Sequence, residues 1–339
     1  MQIVEGVFQF KIPMPVPPHP HPGLKYTLVY LINTREGWVM VDAGLDTDEG
    51  FQAFQEQLGD FGINPRDITI LVATHGHADH EGLAGRIKEY TGARLAMHKL
   101  DSTGRWDPAG DAMSQSPDSI HGWLLRMGVP SRELSNHFFS RHRHDFYIHG
   151  STWDGHVPNV DIFLEDGDEI IPESGLFAIW TPGHSPGHLC IYDQSRHLVF
   201  SGDHILPTIT SHFCLNSNVD RDPLGLYLTK HQYIKDLNAI MALPAHEYTI
   251  HNVGQRINEI LAYHQHRMQE ILDHVNDSPK TAWQIAKNLP WTEDAWNNLG
   301  SGTRRMALME TIAHLEHLTV KGRLAIQDTN TEIQYSLLN

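Results

Sequence analysis

The chain of 339 residues carries only two cysteines, Cys190 and Cys214. Two thiols cannot build a disulfide framework, so reduced side chains in a cytoplasmic protein are expected. Positive charge is scarce as well: 25 Lys and Arg stand against 41 Asp and Glu, a formal net charge of −16. Such an acidic balance disfavours a polyanion as the main partner, because nucleic acids are bound through clustered cations. No apolar run approaches the roughly 18 residues of a membrane span, and the start MQIVEGVFQF lacks the basic leader and apolar core of a secretion signal. Neither secretion nor a membrane partner is expected. There is no internal repeat, no low-complexity segment and no activated Ser or Cys motif, which favours direct attack by water over covalent catalysis. Histidine is what the chain has in quantity: 25 residues, as many as Lys and Arg together.

The first third alternates strand and helix signals. VEGVFQF, YTLVYLI and GWVMVDAG are β-rich, a helix is expected over Asp48–Leu58, and ITILVAT reads as an apolar strand. A helix over Glu81–Tyr90 and the strand ARLAMH follow, which together argue for a layered α/β core. The rhythm breaks from about 101 to 159, where SPDSIHGWLLRMG and SRELSNHFFSRH read as helices of an insertion that covers a cleft. Strands resume at DIFLE, LFAIWT, LCIYD and HLVFSGD. Two amphipathic helices are then expected, the first over Leu226–Met241 and the second carrying apolar residues at three-and-four spacing from Ile257 to Val275. From about Ser278, three helical stretches (TAWQIAKNL, EDAWNNL and TRRMALMETIAHLEHLTVKG) precede a hairpin, RLAIQ and IQYSLL, a winged-helix pattern. Its cations, among them Arg304 and Arg305, are balanced by acids, so a packing or dimerisation module is favoured over a nucleic-acid reader. The expected division is 1–265 and 266–339.

Candidate chemistry concentrates in ITILVATHGHADHEGLAG. His75, His77, Asp79 and His80 crowd into the segment directly after an apolar strand. In extended chain, residues two apart project to one side, so His75 and His77 can share an ion, while Asp79 and His80 lie where the chain turns into a helix. Taken alone, the motif also reads as a polar loop in which Asp79 caps that helix. Three later segments weigh against this. WTPGHSPGH places His184 after a strand, VFSGDHIL places Asp203 after another, and LPAHE places His246 after a helix. Loops at the ends of elements are where layered α/β folds assemble sites.

In this order, HisGlyHisAlaAspHis, the ThrProGlyHis loop, the SerGlyAsp turn and the ProAlaHis segment resemble the metallo-β-lactamase superfamily. The GWVMVDAG turn with Asp42 matches as well, over roughly residues 1–265. The resemblance implies an αββα sandwich with a metal centre at one edge. It implies a first ion held by His75, His77 and His184, a second held by Asp79, His80 and His246, and Asp203 bridging the two. Asp42 would hold a ligand in place. Imidazoles with carboxylates suit two zinc ions per chain, and iron and manganese fit the same donors. Such ions lie about 3.5–4 Å apart and share a water, a hydroxide near neutral pH. Asp79 and His246 are the residues given a catalytic part, Asp79 to orient the nucleophile or take its proton. The expected function is a dinuclear metal-dependent hydrolase acting on a small ester-like substrate: a thioester, lactone or β-lactam. The C-terminal segment is similar to the winged-helix extension of the lactamase-like branch that includes an endoribonuclease.

Three alternatives stay open at this point. One is a ribonuclease or phosphodiesterase of the same fold, for which a positive face at Arg304, Arg305 and Arg141–Arg143 would speak. Another is a mononuclear iron dioxygenase, against which the complete second ligand set argues. The third is a winged-helix DNA-binding regulator with a sensory metal domain. Among other histidines, His188 reads as a support or packing residue, His204 as a residue that could face substrate, His98 as a neighbour of the cleft and His264 as a core histidine. His19 and His21 sit on a Pro-rich loop, and Tyr227 and Tyr233 read as helix packing. Cys190 alternates within a strand and Cys214 sits in a loop. Homodimer formation is left open.

Overall fold

A computed structural model describes residues 1–14, 22–102, 117–134, 159–213, 222–291, 296–329 and 331–338. Packing divides the chain into two units. One comprises residues 1–106, 143–211 and 230–257, the other residues 107–142, 212–229 and 258–339.

The first unit is a two-sheet sandwich. Strands β1 (Gln2–Val4), β2 (Val7–Pro13), β3 (Tyr26–Thr34), β4 (Gly37–Val41), β5 (Ile68–Val72), β6 (Arg94–Met97) and β7 (Ile162–Phe163) form one seven-stranded sheet in sequence order. β1 to β4 pair antiparallel, and β4 to β7 pair parallel. The second sheet holds β8 (Leu176–Trp180), β9 (Leu189–Asp193), β10 (Leu198–Gly202) and β11 (Met241–Pro244) in the order β11-β10-β9-β8. Alternation along the strands explains the layering. Leu28, Tyr30 and Ile32 of β3 join Leu198 and Phe200 of β10 in the core between the sheets. The intervening Val29 and Leu31 face the other way and pack in a second core with Phe54 and Ile87, from the helices Asp48–Asp60 and Ala84–Thr91. β9 and β10 are buried along their whole length, so their side chains are covered on both faces.

Two elements differ from the sequence reading, each for a local reason. The expected Glu81–Tyr90 helix is divided into Ala78–Glu81 and Ala84–Thr91. The carbonyl of Asp79, which would close the next helical turn, accepts from Thr27 Oγ1 at 2.8 Å, and Leu83 N turns to Gly44 O at 2.9 Å. The helix expected over Leu226–Met241 spans Pro223–Asp236 and ends near Asn238, which has φ 52°. Met241 then opens β11, parallel to β10. His246 therefore follows a strand and not a helix, in line with the other site residues at strand ends.

The second unit contains the two described helices of the insertion, Pro117–Arg126 and Ser131–Leu134. Packing groups these helices with the C-terminal segment, not with the sandwich. Met127 O accepts from Trp283 N at 3.0 Å, and Arg126 pairs with Asp328. The C-terminal segment holds β12 (Lys280–Thr281), the helix Ala282–Asn288, a short turn of helix at Trp296–Asn298, the helix Ser301–Val320, β13 (Leu324–Asp328) and β14 (Ile333–Leu337). The three strands pair antiparallel in the order β12-β14-β13. Thr281 caps the Ala282–Asn288 helix by a reciprocal exchange with Gln284, which satisfies two helix-end donors at once. Among the described residues no helix is long and apolar enough to cross a membrane.

Candidate metal centre

The site forms where β5, β8, β10 and β11 end. Each strand is held by its sheet up to its last residue, so the loop that follows starts from a fixed point. Past β5 come His75, His77, Asp79 and His80; past β8, His184; past β10, Asp203; and past β11, His246. All seven side chains are buried and assemble into two groups. His75, His77, His184 and Asp203 form one, and Asp79, His80 and His246 the other, with the candidate ligand atoms in each group within 4.8 Å of one another.

Distances within the groups fit shared cations. His75 Nε2, His77 Nδ1 and His184 Nε2 form a triangle with sides of 2.8, 3.0 and 3.1 Å. In the second group His80 Nε2 and His246 Nε2 lie 3.6 and 3.3 Å from Asp79 Oδ2. Ligands at zinc-like bond lengths in a tetrahedron are separated by about 3.3 Å. Asp203 straddles the groups: its Oδ2 is 3.4 Å from His184 Nε2, while its Oδ1 is 3.5 Å from His80 Nε2 and 3.4 Å from His246 Nε2. Most of these nitrogen–oxygen separations are longer than ordinary hydrogen bonds, as expected of groups arranged around a point between them.

Hydrogen bonds on the outside of the rings fix which nitrogens face inward. His80 Nδ1 donates to Asp42 Oδ2 at 2.9 Å and His246 Nδ1 donates to Tyr26 O at 3.1 Å, which turns each Nε2 towards the carboxylates. Thr74 Oγ1 donates to Asp42 Oδ2 at 3.1 Å, so it accepts from His75 Nδ1 and turns His75 Nε2 inward. Asp42 Oδ1 accepts from Thr74 N at 2.8 Å. Asp42 is thus the common acceptor behind two rings, and it takes the left-handed conformation (φ 61°), rare for a side-chain-bearing residue and concentrated at functional sites.

Electrostatics follow from burial and the three carboxylates. Burial lowers His75, and the neighbouring imidazoles of His80, His77 and His184 lower it further. Burial opposes a charge on His80 too, but Asp203, Asp79 and Asp42 outweigh it and hold that ring well above the ordinary histidine value; His246 is raised against burial by Asp203 and Asp79. Burial also opposes ionisation of Asp79 and Asp203, yet the facing imidazoles bring both below the usual carboxylate range. Positive charge is thus favoured at His80 and His246, beside the carboxylates, and disfavoured at His75.

Of the other residues singled out in the sequence, His188 backs the centre: its Nε2 accepts from Asp203 N at 3.1 Å while its Nδ1 bonds Thr181 Oγ1 at 2.7 Å. His204 is fully buried, its ring centroid 4.1 Å from that of His231, and therefore presents no surface to a substrate. His98 stacks on Trp180, and its Nδ1 accepts from Leu100 N. His264 is a core residue whose Nδ1 contacts His314 Nε2 at 3.1 Å. Tyr227 is buried against Phe213, and Tyr233 is half exposed. Cys190 lies inside β9, its thiol pushed up to about 12 by burial. His19, His21, Cys214 and Arg141–Arg143 lie outside the described residues. Sequence reasoning did not find Thr74, which sits unremarked inside the quoted motif, the Tyr26 carbonyl, which leaves no mark in sequence, or Asp101, a buried carboxylate with no motif around it.

With this geometry in hand, comparison with known proteins identifies the family. The sequence pattern described as the metallo-beta-lactamase superfamily matches residues 22–236, more than half of the chain. The chain belongs to the metallo-beta-lactamase superfamily. Among its superfamily relatives, the probable metallo-hydrolase YqjP of Bacillus subtilis (strain 168) is 23% identical over 267 residues, 77% of this chain and 80% of that protein. An atrochrysone carboxyl ACP thioesterase of Pseudocercospora fijiensis is 24% identical over 306 residues, 90% of this chain and 73% of that protein. The solved structure of a metallo-beta-lactamase family protein from Thermus thermophilus matches with a TM-score of 0.73 and 25% identity over 99% of both chains. A beta-lactamase domain protein from Burkholderia ambifaria matches with a TM-score of 0.78 and 22% identity, covering 99% of this chain and 94% of that chain, a likeness of fold. The αββα sandwich expected from the motifs is the fold observed.

Proposed function

We propose that the protein is a dinuclear metal-dependent hydrolase, with two zinc ions per chain, that cleaves a small thioester or related acyl substrate. The observation that carries this reading is the placement of Asp203, one oxygen at 3.4 Å from His184 and the other at 3.4–3.5 Å from His246 and His80, between two otherwise complete ligand groups. In this reading His75, His77 and His184 would hold the first ion and Asp79, His80 and His246 the second, with Asp203 available to either. Ions so held supply Lewis acidity and a water that ionises near neutral pH.

The chain's own residues then divide the remaining work. Asp42, Thr74 and the Tyr26 carbonyl keep ring protons on the outer nitrogens. Asp79 faces His80 and His246 through Oδ2 and would orient the attacking water through its other oxygen. Among the described residues the exposed edge of the centre is formed by His77, Asp79 and Asp203, at 6–8% against 0% for His75 and His80, so substrate approaches from that edge.

A thioester is favoured within the acyl class by the relative named as an acyl-carrier-protein thioesterase, whose similarity spans 90% of this chain. The acidic composition speaks against RNA as substrate. So does the state of two cations named for that alternative: Arg305 is buried and Arg304 pairs with Glu133 at 3.3 Å. The order of helices and hairpin in the C-terminal segment supports a winged helix used for packing. Turnover is measured across thioesters, lactones, β-lactams, phosphodiesters and RNA, with zinc-loaded and chelator-treated protein. Thioester hydrolysis that is lost on chelation and in His75→Ala and Asp203→Ala is expected; full activity in metal-free protein sinks the proposal, and turnover confined to phosphodiesters or RNA replaces the substrate class.

A further inference from the structure

Asp101, in the turn after β6, is 7% exposed, and the metal centre as described makes no use of it. Its carboxylate gathers three donors. Gly76 N and Ser185 Oγ donate to Oδ2 at 3.2 and 2.5 Å, and Gly187 N donates to Oδ1 at 2.7 Å. Gly76 lies between His75 and His77, and Ser185 and Gly187 follow directly on His184. One side chain therefore joins the loop that bears two of the three converging imidazoles to the loop that bears the third.

A separate observation points to the same residue. A Cβ at Gly187 would lie 2.8 Å from Asp101 Cγ and 2.8 Å from its backbone nitrogen, and a Cβ at Gly76 would lie 3.1 Å from the Asp101 carbonyl oxygen. At Gly187 a side chain would run into the Asp101 backbone, so glycine is required there; at Gly76 the approach is tight, and a Cβ would force a shift of a few tenths of an ångström. Ligand chemistry gives no reason for glycine between two metal-binding histidines, or three residues after another; the approach of Asp101 does.

We propose that Asp101 is a positioning residue that sets the spacing of His75, His77 and His184 for the first ion, acting through the backbone of two loops; the proposal rests on the metal reading above. The second group is braced by different atoms. Asp42 holds His80, the Tyr26 carbonyl holds His246, and Thr27 Oγ1 donates to the Asp79 carbonyl. Loss of Asp101 should loosen one ligand group and spare the other.

Zinc binding by the full chain tests this, measured by competition with a chromophoric chelator and by elemental analysis, on the parent, Asp101→Asn and Ser185→Ala. Asp101→Asn keeps the volume but places an amide donor where backbone and hydroxyl donors arrive. One of the two zinc affinities is expected to fall about 10- to 100-fold, the range found when groups that orient metal ligands are removed, with the other unchanged. Ser185→Ala should lower the same affinity by less. Combination with His246→Ala or His77→Ala assigns the loss: it should persist in the first background and vanish in the second. Parent-like binding of both ions, or equal weakening of both, overturns the proposal. A parent protein that takes up no zinc overturns the metal reading and the proposal with it. Where Asp101→Asn fails to fold by far-UV circular dichroism, Ser185→Ala decides by the same criteria.

Discussion

Replacing Asp42 by Asn separates what its carboxylate does for the fold from what it does for the metal centre. Asp42 Oδ1 accepts from Thr74 N at 2.8 Å, and Oδ2 accepts from Thr74 Oγ1 at 3.1 Å and His80 Nδ1 at 2.9 Å. Asn can keep the first bond and tolerates the left-handed backbone (φ 61°) about as well as Asp, so backbone strain is unchanged. Its amide, however, meets two donors. If His80 kept its proton on Nδ1, two buried donors would lose their acceptor, at about 1–3 kcal/mol each. The ring has a cheaper response: it gives up the Nδ1 proton, keeps the one on Nε2 and accepts from the amide at Nδ1. Folding then loses about 1–3 kcal/mol, but a metal can reach Nε2 only if the remaining proton moves to Nδ1, where the amide now donates. Zinc affinity of the second group should fall about 10- to 100-fold, far out of proportion to the change in stability. Urea unfolding in excess chelator reads the first quantity, chelator competition the second, and nitrogen-15 imidazole spectra the tautomer. A folded Asp42→Asn protein with parent zinc affinity refutes the reasoning.

Two further outcomes concern the second unit. Buried Arg267 lies 3.0 Å from Glu270 Oε2 and 3.8 Å from Glu310 Oε1; Tyr263 Oη donates to Glu310 Oε1 at 2.8 Å, and Arg267 donates to Tyr263 Oη at 3.2 Å and to Pro290 O at 2.9 Å. Arg267→Ala leaves two largely covered carboxylates, Glu270 and Glu310, without their cation and should destabilise this unit by about 3–5 kcal/mol, whereas Glu310→Gln, which keeps an acceptor for Tyr263, should cost less; equal losses in urea titrations would contradict this. His314 is lowered to about 3 by burial. Between that value and its unfolded value of about 6.5 the unfolded chain binds the extra proton, so stability is present above that window and lost as pH falls through it, by up to about 1.4 kcal/mol per pH unit. Chemical unfolding of chelator-treated protein from pH 7 to 5 should show that loss, and His314→Gln should flatten the slope by about one proton; an unchanged slope removes His314 as its source.

The parts of the site that were legible in the sequence share a physical cause. A residue able to hold a metal at the end of a strand is announced twice, once by its own chemistry and once by the apolar run that delivers it. His75, His184 and Asp203 each follow such a run, and all seven expected residues come together in the structure. His246 was placed after a helix because MALP is too short to declare itself a strand; only its parallel pairing with β10 makes it one. The break at Gly82 was hidden for a similar reason. The helical pattern continues through it, and the hydrogen bonds that interrupt it come from Thr27 and Gly44, distant in sequence.

The supporting layer is less visible because its chemistry is generic. Thr74, the Tyr26 carbonyl and Asp101 are an ordinary hydroxyl, a peptide oxygen and one of 41 acids, and nothing in their neighbourhoods singles them out. Yet in the proposed centre this layer decides whether the ligands would work as a set. Five imidazoles each have two nitrogens to present, and ring chemistry alone does not choose between them; Asp42, Thr74 and the Tyr26 carbonyl make that choice for His80, His75 and His246. Three imidazole nitrogens within 3.1 Å of one another also need two loops held at a fixed distance, and the strands end before the loops meet. The trace this layer leaves in the sequence is indirect: a glycine where a ligand motif has no need of one, marking a backbone that something else must approach.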